Sequence, residues 1–151
     1  MENYLKTVLY AYPLLKTVGD DYAEHIRNKA VLSYNSPRTT EDLAEYLAKE
    51  ILRKNNLLWL KGAIDGVLKR LDDTERALIE MRYFGKKKIP LHKEGEQPWS
   101  ERKYFRRQQR VGEKVGGMLI VAGVTKEFFE MGLQDVELIR KVQRYVEKRE
   151  E

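Results

Sequence analysis

Apolar residues recur every three or four positions along most of the chain, and no stretch of useful length alternates between apolar and polar residues. The first pattern indicates amphipathic helices, whereas strict alternation would indicate strands. Prolines, glycines and helix-capping residues divide the pattern into segments. We therefore predict an all-α protein, a multi-helix domain with an N-terminal helical extension.

Two helical segments are predicted in the first third of the chain. The first covers residues 2–34. Pro13 should kink or split it because proline removes a backbone donor, and Gly19 marks a break. A turn over residues 35–40 follows, and Thr40 at its end is a good N-cap for the second segment.

Asn55 and Asn56 indicate a stop or a short hinge at the end of the second segment. Beyond them, apolar residues recur at spacings of three and four, a pattern shared by ordinary core packing and by a dimer seam. Trp59 lies off this seam, so it belongs either to a second buried face or to an exposed partner contact. The seam consists of Leu57, Leu60, Ile64, Val67 and Leu71.

The remaining chain contains further predicted helices around one irregular segment. Residues 72–74 cap a helix that continues to Phe84, and residues 86–98 are irregular because two prolines and a glycine oppose a helix. Ser100 then caps a helix over residues 100–119. Two shorter helices are predicted last, over residues 126–132 and from Asp135 onward.

Positive charge is concentrated around the irregular segment. Residues 86–110 contain nine basic and three acidic residues, a net charge of +6, while the whole chain carries +5. The rest of the protein is therefore close to neutral, and a charge that served only solubility would be more evenly spread. Clustered cations of this kind favour a nucleic-acid partner.

The predicted helix over residues 100–119 is basic nearly all round in its first half and amphipathic in its second half. Such a helix can be held at its C-terminal half while its first half enters the major groove of DNA, where recognition helices read bases. Three glycines weaken the second half by about 1 kcal/mol each relative to alanine, so we expect them to allow another helix to pack closely. They are Gly112, Gly116 and Gly117.

Several classes of function are disfavoured by composition. The chain has no cysteine, and its two histidines, His25 and His92, are far apart in sequence, so we expect no metal site. No paired carboxylates and no Gly-rich phosphate loop are found, which argues against an enzyme or a cofactor. The N-terminus has no signal-peptide pattern and no apolar run spans a membrane, so we expect a soluble, cytoplasmic protein.

Two segments resemble region 4 of the sigma-70 family of transcription initiation factors and the bacterial and phage regulators that share its helix-turn-helix. The first is Leu71 to Tyr83, and the second is SERKYFRRQQRVGEKV, which begins at Ser100. The resemblance covers residues 68–120 and implies a regulator that binds double-stranded DNA through the basic helix. The predicted contacts are Lys86, Lys87, Lys88, Ser100, Arg102, Lys103, Arg106, Arg107 and Arg110.

Within this set, we expect Arg102, Lys103 and Arg106 to face bases. Arg107, Arg110 and the lysine run should hold phosphates.

The chain departs from the family in two places. Where the family has the first helix of the motif, this chain has IPLHKEGEQPW, so that helix is expected to be shortened, distorted or replaced by a loop. Residues 1–67 show no sign of the sigma region that melts promoters, and we assign them to dimerisation or partner contact. Residues 68–122 form the predicted DNA-binding region, and the helices of 123–151 pack on it.

Alternative functions remain open on the sequence. The basic helix could meet an acidic protein surface in a sigma-like adaptor that binds RNA polymerase, or the chain could be a phage packaging subunit that binds DNA. RNA is a further alternative partner, because aromatic residues near the basic block could stack on bases. Those residues are Trp99, Tyr104 and Phe105.

Overall fold

The computed structural model describes residues 1–31 and 40–150, except for the side chain of Glu150. These residues form six helices and no strand, which confirms the all-α prediction. Residues 32–34 of the predicted first helix and residues 35–39 of the predicted turn lie outside this range. The helices are α1 (Asn3–Val31), α2 (Thr40–Lys69), α3 (Asp73–Tyr83), α4 (Glu101–Val121), α5 (Lys126–Gly132) and α6 (Glu137–Glu150).

Helix α1 is continuous, so the predicted break at Gly19 and a split at Pro13 are both wrong. Pro13 is exposed and removes only one backbone donor, while Ala11 before it and Leu15 after it are both buried in the core. Gly19 is a point of close packing. A Cβ atom at this position would lie 3.0 Å from a methyl group of Leu58 in α2.

Helix α2 also runs through the predicted stop at Asn55 and Asn56. The side chain of Asn56 does not cap the helix, because its amide donates a hydrogen bond to the carbonyl oxygen of Gly132 at 3.1 Å. At the other end of α2, Thr40, which the sequence predicts as the N-cap, is the first residue of the helix. At Asn56 a tertiary contact thus overrides a local preference to end the helix.

One hydrophobic core joins all six helices. Helix α1 packs along both α2 and α6, and α3 packs on α4. The heptad-type seam of α2 is buried in this core, from Leu57 at its start to Leu71 just beyond the helix, which identifies the seam as core packing. Side chains from α1, α2, α4 and α6 belong to the same cluster, for example Leu9, Ile64, Leu119 and Ile139. None of the described helices is both long enough and apolar enough to cross a membrane.

A polar contact crosses the interface between α1 and α2. The hydroxyl of Tyr12 donates to a carboxylate oxygen of Asp65, and Lys61 donates to the other oxygen at 2.7 Å. Burial, together with the bond to Asp65, raises the pKa of Tyr12 from 10.0 to about 12. The neutral phenol is therefore the form that the fold stabilises.

The contact between Tyr12 and Asp65 should make the free energy of unfolding decrease with rising pH in the alkaline range. Because the folded-state pKa of Tyr12 is raised, its contribution is fully present below pH 10 and is lost as the pH rises toward 12. We expect the difference in unfolding free energy between the wild type and Tyr12→Phe to be constant from pH 7 to 9 and to shrink above pH 10. Urea titrations at each pH measure it, and a difference that stays constant through pH 11.5 would contradict the assignment.

Candidate nucleic-acid interface

The C-terminal half of α4 anchors the helix in the core. Val111, Val115 and Leu119 are buried, which is the apolar stripe that the sequence predicts. Gly112 and Gly116 face the N-terminus of the chain, since a Cβ atom at either position would lie 3.3 Å from the side chain of Met1. The predicted packing role is correct for these two glycines. It is wrong for Gly117, where a Cβ atom would have no neighbour within 4 Å among the described residues.

Ser100 begins α4 as predicted. Its hydroxyl oxygen accepts a hydrogen bond from the backbone amide of Lys103 at 3.1 Å, and its own backbone is extended. This bond satisfies one of the amides that the first turn of a helix leaves without a partner. The cap therefore fixes where the basic half of α4 (residues 101–110) starts.

The basic half of α4 is exposed. Lys103 is half-buried, while the four arginines point into solvent. None of these five cations forms an ion pair with an acidic side chain in the part of the chain that the structure describes. An anionic partner would consequently bind them without breaking an internal salt bridge. The five are Arg102, Lys103, Arg106, Arg107 and Arg110.

The cations of this half lie on two different faces. Lys103, Arg107 and Arg110, with Lys114 one turn later, line a cleft of about 740 Å³ beside α3. Arg102 and Arg106 do not line this cleft. The spacing of three and four residues places each set on its own side of the helix. Lys103 thus lies with Arg107 and Arg110, and not with the two arginines that it was predicted to accompany.

Trp99 positions two of the cleft cations. The ammonium of Lys103 lies 5.0 Å from the centre of its ring and the guanidinium of Arg107 lies 5.6 Å from it. Trp99 itself is half-buried and packs against the core. Cation–π contacts of this kind hold long flexible side chains without neutralising their charge. The tryptophan therefore orders the cations and leaves them able to bind an anion.

The opposite wall of the cleft carries three acids, Asp72, Glu75 and Glu96, of which Glu75 is ion-paired. Glu75 accepts a hydrogen bond from Lys114 at 2.7 Å, and it also completes a capping box with Asp72 at the start of α3. The third acid, Glu96, accepts a bond from the backbone amide of Lys93. Lys93 and Lys114 are cleft residues that the sequence did not single out. Lys93 reaches the cleft from the connector, so only the fold identifies it, whereas Lys114 continues the spacing of Lys103, Arg107 and Arg110 along α4.

The three lysines predicted as a phosphate clamp have different surroundings. Lys86 forms an ion pair with Glu80 at 3.0 Å, whereas Lys87 is exposed. Lys88 lies 4.2 Å from the ring centre of Tyr104, in the basic half of α4. The structure therefore brings Lys88 to the helix and ties Lys86 to the end of α3.

The connector between α3 and α4 (residues 84–100) contains no helix. It stays close to the protein because Leu91 and Trp99 pack against the core, and it turns at Gly95, whose φ of 84° is left-handed and favours glycine. The segment IPLHKEGEQPW, for which the sequence predicts a shortened helix, a distorted helix or a loop, is a loop. The α3 and α4 helices are packed together without the intervening helix of a standard helix-turn-helix.

Two uncharged residues of the basic half also face outward: Phe105, which the sequence offers as a stacking partner for RNA bases, and Gln109, which the predicted contacts omit. Both lie on the side of Arg102 and Arg106, and the side chain of Phe105 is 58% exposed. The signal was available, because Gln109 follows Arg102 by seven residues and Arg106 by three. Arginine and glutamine are both residue types that can make paired hydrogen bonds to base edges.

Among the described residues, no group of three or more histidine, aspartate or glutamate side chains could hold a metal ion. No family model, no curated protein and no solved structure matches the chain.

Proposed function

We propose that this protein is a transcriptional regulator that binds double-stranded DNA with the basic half of α4. The observation that carries the proposal is the set of five cations without acidic partners on an exposed helix end whose other half is anchored in the core. Ten residues of helix span about 15 Å, and the major groove, about 12 Å wide, admits a helix end of this kind.

The two faces of this helix suggest a division of labour. Arg102, Arg106 and Gln109 face outward and would contact base edges. Lys103, Arg107 and Arg110 would follow the phosphates on one side of the groove, with Lys88 joining them from the connector. One face of α4 would then recognise the DNA sequence, and the other would position the helix on the DNA backbone.

The resemblance to sigma-70 region 4 supports a DNA-binding regulator but not the standard arrangement of its helix-turn-helix. Helices α3 and α4 correspond to the two segments that carry it, while the connector replaces the helix that normally crosses the DNA backbone. We place this chain among bacterial or phage regulators that act in the cytoplasm, and we propose that its connector takes over the backbone contacts of the missing helix.

A second candidate is an adaptor that binds RNA polymerase or another protein. The observation in its favour is Phe105, which is 58% exposed in the middle of the cations. Aromatic and arginine side chains together are typical of protein interfaces. In this case binding to DNA would be weak, and its dependence on salt would be shallow.

Salt dependence of binding distinguishes the two candidates. Fluorescence anisotropy with a labelled pool of random 30-bp duplexes, from 50 to 300 mM salt, measures the affinity at each concentration. The four phosphate contacts proposed for Lys88, Lys103, Arg107 and Arg110 predict a slope of log K against log salt of roughly −3 to −4. Failure to bind the duplex at 50 mM salt would overturn the DNA proposal, and so would a slope near zero.

A further inference from the structure

The outward face of α2 is unusual because its exposed residues carry no charge between positions 51 and 66. This chain is 35% charged, and the charged residues of this stretch are all half-buried instead. Ile51 and Leu58 are each 40% exposed, Leu52 59% and Trp59 44%. A helix face that only met water would carry charges there. The exposed set is Ile51, Leu52, Asn55, Leu58, Trp59, Gly62 and Gly66.

The two glycines are not packing points for the described part of the protein. A Cβ atom at Gly62 or at Gly66 would meet no atom of residues 1–31 or 40–150 within 4 Å, so neither makes room for another of the described helices. Each nevertheless costs about 1 kcal/mol of helix stability relative to alanine. Small residues four apart on an exposed face allow the backbone of a second helix to approach closely.

The outer face is symmetric about Asn55. Four residues away in the two directions lie Ile51 and Trp59, and seven residues away lie Ala48 and Gly62. Eleven residues away lie Ala44 and Gly66, and fourteen away lie Glu41 and Lys69. Offsets of 4, 7, 11 and 14 follow the heptad spacing of paired helices. Every one of these side chains is exposed.

This symmetry matches an antiparallel pair of identical helices. When two copies of α2 cross at Asn55, each large apolar residue meets a large one and each small residue meets a small one. The ends match in charge, because Glu41 of one copy would lie opposite Lys69 of the other, and neither forms an ion pair with a described residue. A twofold axis requires such a self-complementary surface.

We infer that the protein forms a homodimer through the outer face of α2, with Asn55 on the twofold axis. The heptad seam that the sequence presents as a dimer candidate is core, and the dimer surface is the opposite side of the same helix. Trp59 also packs on Phe128, with ring centres 4.7 Å apart, and on Gly123 just after α4. The interface therefore adjoins the anchored end of α4 and leaves its basic half uncovered.

The mass of the protein in solution tests this inference. We expect a dimer by analytical ultracentrifugation at tens of micromolar, and we expect Gly62→Glu to raise the dissociation constant at least roughly 100-fold, because each dimer would bury two unpaired carboxylates. The substitution removes a helix glycine from an open position, so the monomer should remain folded. Gly117→Glu, at another open helix glycine, is the matched control and should stay dimeric.

Crosslinking tests the register. The chain has no cysteine, so single substitutions report on defined pairs. Asn55→Cys should crosslink with itself under oxidation, whereas Gly62→Cys should not, because its two copies would lie about 21 Å apart along the helices. A mixture of Gly62→Cys and Ala48→Cys should link.

Two outcomes would overturn the inference. One is a monomer up to several hundred micromolar, and the other is equal self-linking of Asn55→Cys and Gly62→Cys. The inference does not rest on the proposed function, since none of these measurements involves DNA.

Discussion

Replacing Arg102, Arg106 and Arg107 together by alanine is expected to lower the affinity for duplex DNA at least roughly 100-fold. Each contact of arginine with a base or phosphate is worth about 1–3 kcal/mol, and three such losses exceed the 2.7 kcal/mol that a 100-fold change requires. The slope of log K against log salt should also become shallower by about one for each phosphate contact removed. Anisotropy titrations at two salt concentrations measure both effects.

The fold should survive this triple substitution. All three arginines are exposed, and alanine has the higher helix propensity, so the far-ultraviolet circular dichroism and the melting temperature should change little. The matched control replaces Lys16, Arg27 and Arg144, three exposed cations on α1 and α6, and changes the net charge by the same amount. An equal loss of affinity in this control would show that only total charge matters. Unchanged affinity in the α4 variant would exclude the proposed interface.

Leu15→Ala is expected to destabilise the protein by about 2–5 kcal/mol. Its side chain is fully buried in the core, two residues after Pro13 in α1. The loss combines the transfer free energy of the deleted methyl groups with the cavity that they leave. A typical domain has only about 5–15 kcal/mol of stability in total, so the shift should be evident in urea unfolding followed by circular dichroism.

The neighbouring residue provides the control for this experiment. Leu14 is 50% exposed, and Leu14→Ala makes the same chemical change in the same helix, beside the same proline. We expect it to cost less than about 1 kcal/mol. Similar losses in the two variants would mean that α1 does not present its faces as described, for example because the helix is rotated after Pro13.

Local signals in the sequence were sufficient for the class of fold and for the limits of α4. The spacing of Val111, Val115 and Leu119 predicts the anchored half, and Ser100 marks the start, because a cap acts within one turn of itself. The charge excess of residues 86–110 also needs no structure, since it is a count. Most of the candidate site follows from these features alone.

Other features depended on neighbours distant in sequence. Local preference predicts breaks at Gly19 and Asn56, and these predictions are wrong because the partners of the two residues, Leu58 and Gly132, lie on other helices. A spacing pattern shows which residues share a face and not what covers that face. For this reason the seam that contains Leu60 could be core or interface until its burial was known.

An all-helical chain and a capped basic helix with an apolar C-terminal half are predictable from residue order, because periodicity, capping and charge are local properties. The folded arrangement is needed to know that Lys86 is paired while Arg102 and Arg106 form no ion pair with a described residue, since ion pairing depends on distances across the fold. It alone also showed that the connector is a loop. The uncharged outer face of α2 can likewise be recognised only from burial, which shows which residues of the helix face the core and which face solvent.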